Sequence, residues 1–138
     1  MNTESLARDL EDIVNSVDFS IIPYQKGNSI RIKNYVIRKT KHGYAIYDCS
    51  VNKPVTKTYF KYSAVAIVKK LAQGENIVSS IQELDRKMLK HYNDAIFYKD
   101  TIRRTADPSV KETRKIRLSL AVEETNRIRQ HLEDFIFD

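Results

Sequence analysis

One cysteine, three histidines and a crowd of lysines, arginines and tyrosines are the side chains of this 138-residue chain that could do chemistry. Cys49 has Asp48 beside it and His42 near the start of the same predicted strand, the composition of an activated thiol. The geometry does not follow. Residues 42 and 49 stand at opposite ends of a strand about 20 Å long, and neighbours such as 48 and 49 point to opposite faces. A lone cysteine in a strand is usually a small apolar residue. His91 and His131 fall on predicted helices, where a bundle metal site needs a glutamate three residues before each histidine. Met88 and Ile128 occupy those positions instead. The glycines at 27, 43 and 74 are isolated, so no phosphate-cradling loop is present. The expectation is a protein that is not an enzyme and holds no metal or cofactor.

The remaining candidate chemistry is binding. Tyr35, Tyr44, Tyr47, Tyr59, Phe60 and Tyr62 interleave with Arg31, Lys33, Arg38, Lys39, Lys41, Lys53, Lys57 and Lys61. Cations neutralise phosphates, and aromatic faces stack unpaired bases. Tyrosine is also a good strand former, and lysines on edge strands keep sheets from pairing with each other. Charge distribution favours a partner. Residues 1–18 hold one basic and five acidic side chains, residues 19–74 eleven and one, and residues 75–138 twelve of each. The net charge of +6 thus comes from a middle segment that also holds eight of the thirteen aromatics. Such asymmetry points to an anionic partner, or to an acidic N-terminal helix lying against a basic sheet.

The elements that must position these residues can be read from periodicity. Leu6, Leu10, Ile13, Val14 and Val17 predict an amphipathic helix over about residues 4–17, capped by Thr3 or Asn2. "FSIIPY" is extended, with Pro23 keeping it off a central strand. "SIRIKNYVIRK" alternates, then slips phase at Asn34, which requires a bulge or a break into two strands. "TKHG" turns the chain, with Gly43 expected at positive φ. "YAIYDC" and "VTKTYF" complete a three-stranded antiparallel meander. Tyr44 and Ile46 share one face, and Ala45, Tyr47 and Cys49 the other. On the last strand Phe60 belongs to the core face and Lys57 and Tyr59 to the open one.

Ser63 is expected to cap a helix whose stripe is Ala64, Ile67, Val68 and Leu71, stopped at Gly74. Ser80 and Glu83 have capping-box spacing. A heptad seam then runs Ile81, Leu84, Met88, His91, Ala95, Tyr98, Ile102, and a second runs Leu118, Ala121, Thr125, Ile128, Leu132, Phe135. "TADPS" separates them, so the two helices are antiparallel neighbours. Ile116 and Leu120 lie off the second seam. They imply another contact, either a second copy of the chain or the protein's own sheet.

Two resemblances bear on the middle segment. The order helix, three strands, helix is similar to that of double-stranded-RNA-binding domains, whose closing helix begins with a lysine cluster. Here Lys69 and Lys70 stand near its end. "YFKYSAVAIVKKL" resembles the strand-to-helix junction of the sheet-type DNA-binding modules of plant transcription factors and phage integrases. Across most of the chain, "GYAIYDCSVNKPV", "AVAIVKKLAQG" and "LDRKMLKHYNDAIFYKD" resemble small uncharacterised proteins of marine tailed phages. That resemblance carries no activity. It implies a setting inside an infected bacterium or in the particle assembled there.

The sequence therefore predicts an α+β protein: an N-terminal helix, a three-stranded meander and one covering helix over residues 1–74, then a helical hairpin over 75–138. No apolar run is long enough to cross a membrane, no secretory signal is expected, and the single cysteine fits a cytoplasmic setting. The expected function is a non-enzymatic, oligomeric binding protein, a dimer by preference, holding DNA or RNA through Arg31, Lys33, Arg38, Lys39, Lys41, Lys57 and Tyr59. The alternative is a phage-type assembly or virion protein with no nucleic-acid role. Ile116 and Leu120 are the expected oligomer or docking interface.

Overall fold

Alternating apolar residues along residues 29–58 make strands, and the continuous apolar run that follows makes a helix buried on every side. The computed structural model describes residues 24–26 and 29–137. The helix expected over 4–17 and the extended stretch at 19–23 lie outside them. The sheet is an antiparallel meander of five strands, not three: β1 (Tyr24–Lys26), β2 (Ser29–Ile32), β3 (Tyr35–Lys39), β4 (Tyr44–Asp48) and β5 (Lys53–Thr58), in that spatial order. Three helices follow: α1 (Lys61–Ala72), α2 (Val78–Arg104) and α3 (Pro108–Phe137).

The extra strands resolve the phase slip at Asn34. Ile32 pairs with Tyr35, so Lys33 and Asn34 form a two-residue hairpin loop, with Lys33 at φ 54°. No glycine marks this turn. Asn34 stabilises it from its side chain, donating from Nδ2 to Asp48 Oδ1 at 2.7 Å, while its carbonyl accepts from the Cys49 amide at 2.8 Å. A bulge at Val55 shifts the register of β4 and β5, next to Pro54 on the edge strand, where a missing N–H costs no ladder bond.

Gly43 does not supply a positive φ; among the described glycines Gly74 alone has one, at 85°. Gly43 is required for space. A Cβ there would lie 2.2 Å from the Thr58 carbonyl oxygen. Gly43→Ala must push the β3–β4 turn off β5, and a loss of about 2 kcal/mol is expected from urea denaturation.

One face of the sheet carries Ile30, Ile37 and Ile46 in register, and α1 lies across it. On the far side of α1 pack Ile81 and Met88 of α2, with Ile128, Leu132 and Ile136 of α3. The hairpin of α2 and α3 thus shares a core with α1, which is why Tyr62 and every residue from Ser63 to Val68 are buried. A second, smaller cluster holds the distal hairpin together: Ala95, Leu118, Ala121 and Val122.

Helix ends depart from the local signals. Neither Ser63 nor Ser80 is an N-cap. α1 begins after Phe60 and α2 after Ile77, without local side-chain caps. The start of α1 is capped from a distance by Asp85 of α2, which is 2% exposed. Its carboxylate accepts from the Tyr59 amide (2.8 Å), the Phe60 amide (3.1 Å) and the Ser63 hydroxyl (2.6 Å). The end of α1 closes as expected. The Glu75 amide reaches back to Lys70 O and the Gly74 amide to Leu71 O, the paired bonds of a Schellman motif. Lys33 Nζ adds a bond to Ala72 O at 2.8 Å.

Candidate nucleic-acid interface

The face of the sheet opposite α1 is set by register. Arg31, Val36, Tyr47 and Pro54 form one cross-strand row, and Arg38, Ala45 and Lys57 the next. The short Val36 and Ala45 lie between the longer side chains and are buried. The helical contacts to the sheet, among the described residues, come through its other face. Among the described residues the strands present no carboxylate on this open side. Asp48 belongs to the opposite face and is occupied by Ser50 and Asn34, whose hydrogen bonds hold its carboxyl below the usual value.

Arg38 and Tyr47 are joined on this surface, the guanidinium lying 5.5 Å from the ring centroid. A guanidinium held over an exposed ring is a cation already oriented, with one ring edge still in solvent. Tyr47 was not among the binding residues chosen from sequence, although its alternation with Ala45 and Cys49 gave its face.

The other expected site residues disperse. Arg31 remains on the open side, its Nε donating to Lys33 O at 3.0 Å. Lys33 does not join it, because its place in the hairpin loop swings its ammonium to the end of α1. Lys39 alternates to the helix-covered face, where its ammonium sits 4.9 Å from the Tyr44 ring. Of the six interleaved aromatics, Tyr62 belongs to the core and Tyr35, Tyr44 and Phe60 pack against it. Only Tyr47 and Tyr59 are exposed.

Lys41, Lys57 and Tyr59 meet at a second place. The β3–β4 turn, the end of β5 and the start of α2 enclose a cleft of about 380 Å³. Lys41 and His42 come from the turn, Lys57 and Tyr59 from β5 and the bend after it, and Arg86 from α2. Asp85 lies against it, its carboxyl raised by burial and partly restored by Ser63 and the Tyr59 and Phe60 amides. Arg86 had no signal in the sequence, since it stands in a segment of balanced charge.

Ile116 and Leu120 do not dock on the sheet. Both face away from the hairpin seam and are 57% and 55% exposed. Cys49 is exposed, and among the described residues no three histidine, cysteine or carboxylate side chains gather as a metal site. Among them, too, no helix is long and apolar enough to cross a membrane. Set against family models, curated proteins and solved structures, the chain matches none of them.

Proposed function

We propose that the protein is a non-enzymatic binding protein that holds single-stranded nucleic acid on the open face of its sheet. The observation that carries this reading is the register that puts Arg31, Arg38 and Lys57 with Tyr47 on a face where no described element packs. Arg38 and Lys57 are two inter-strand steps apart, about 10 Å. That spacing lets successive phosphates be neutralised while a base stacks on Tyr47. Recognition of this kind tolerates sequence, because every phosphate is alike and every base has a flat face.

The test is fluorescence anisotropy with a short labelled oligonucleotide across a salt series. Three phosphate contacts on a single strand give a slope of about −2 in log affinity against log salt. Absence of binding at low salt, or binding indifferent to salt, overturns the reading.

A second reading rests on a different observation. Two large aliphatic side chains one helical turn apart, both more than half exposed, favour self-association through α3. The protein is then a dimer at micromolar concentration by light scattering, and Ile116→Asp with Leu120→Asp yields monomers without a change in helical content. A wild-type monomer at that concentration removes this element. A dimer that binds no oligonucleotide fits an assembly or virion role instead, in the phage setting that the resemblance implies.

A further inference from the structure

We infer that the cleft between the β3–β4 turn, the end of β5 and α2 is a site for a phosphomonoester, the terminal phosphate of a strand lying on the sheet or of a free nucleotide. This rests on the nucleic-acid reading for its partner, but on separate residues for its chemistry. Lys41, Lys57 and Arg86 bring three cations from three different elements to one cleft, with the His42 imidazole beside them. Among the described residues no hydrogen bond or ion pair ties up the Lys41 or Lys57 ammonium, and the guanidinium has only the through-space attraction of Asp85.

The one carboxylate in the cleft does not compete for the rim. Both oxygens of Asp85 are turned to the amides of Tyr59 and Phe60 and the Ser63 hydroxyl. A phosphodiester within a strand carries one negative charge, whereas a phosphomonoester carries between one and a half and two, roughly, near neutral pH, with three acceptor oxygens. Converging cations therefore favour an end over an interior phosphate. A volume of about 380 Å³ suits a single nucleotide. Tyr59, 48% exposed at the rim, offers a ring for its base. Lys57 belongs both to the open face and to the cleft, so a strand crossing the sheet along the Arg38–Lys57 row would run off it here.

Anisotropy with oligonucleotides bearing 5′-phosphate, 3′-phosphate or hydroxyl ends, at one fixed salt concentration, tests this. One phosphorylated end should bind about tenfold more tightly than the hydroxyl-ended strand. Arg86→Gln should erase that difference, as should Lys41→Gln, with thermal melting to verify folding. A nucleoside monophosphate as competitor separates the two sources. If it displaces the phosphorylated end, the cleft accepts a free nucleotide; if it does not, the attached strand is required. Equal affinity for all ends, or a preference that persists in Arg86→Gln, overturns the inference and leaves the sheet reading intact. Arg86-dependent binding of the mononucleotide with no oligonucleotide binding does the reverse.

Discussion

Asp85→Ala should destabilise the fold by about 3–4 kcal/mol in chemical denaturation. Its side chain links the start of α1 to the body of α2 by satisfying three donors together: two amides and the Ser63 hydroxyl. Losing an N-cap costs about 0.5–2 kcal/mol, and leaving a buried donor without a partner costs about 1–3 kcal/mol more. The damage falls on α1, the layer between sheet and hairpin. Asp85→Asn keeps the shape but turns an NH₂ group toward one of the donors, and about half that loss is expected.

The pH dependence has a definite sign. Burial is the largest influence on Asp85 and raises its carboxyl above the ordinary 3.8. The folded protein then binds this proton more tightly than the unfolded chain does. Stability owed to the group is greatest below the unfolded value and declines as pH rises through the folded one. The gap between wild type and Asp85→Asn should widen on acidification from neutrality. A gap that narrows instead means that the carboxylate is stabilised in the fold more than its burial penalises it.

What could be read in advance was whatever repeats along the chain. The seams of α2 and α3 are a 3–4 period over many residues, and Met88, Ala95, Leu118, Ala121 and Leu132 are buried as that period requires. Face alternation on β4 and β5 was equally legible, because Ile46 and Thr58 turn inward while Tyr47 and Lys57 turn outward. The failures are contacts between residues far apart. Ser63 has the chemistry of a cap, and no local pattern could show that a carboxylate 22 residues later performs that task while the serine donates to it. The Lys33–Asn34 turn lacks glycine and proline, so only the phase slip betrayed it. Its consequence for Lys33, whose ammonium reaches Ala72 at the end of α1, depends on a fold not yet built.

The same distinction governs the candidate site. Alternation gives each side chain its face within its own strand, and the strand registers then bring Arg31, Arg38, Tyr47 and Lys57 to one side. The cleft needs Arg86 of α2 to meet Lys41 of a distant turn, which depends on Gly43 letting that turn close on Thr58. Total charge would have nominated Lys33, Lys39 and Lys41 as readily as Arg38. Geometry demotes the first two, since one is spent on a helix end and the other lies over Tyr44 on the covered face.

Arg38→Glu with Lys57→Glu should weaken oligonucleotide binding about 100-fold at low salt, an effect of about 2.7 kcal/mol. The two side chains stand in one cross-strand row with Ala45 between them. Reversing both removes two of three phosphate contacts and sets like charge where those phosphates would lie. The salt slope should fall toward −1 or flatter, because only Arg31 is left to release counterions. Tyr47→Ala should lose about tenfold with an unchanged slope, since stacking is lost while every cation stays. The decisive control is Arg104→Glu with Arg127→Glu, which changes the net charge equally on exposed helix surface away from the sheet. If that pair weakens binding as much as the sheet pair, the protein attracts nucleic acid by overall charge and the face has no special part. If neither pair matters, the face is not where the strand binds. A large loss from the sheet pair alone is the outcome that its register requires.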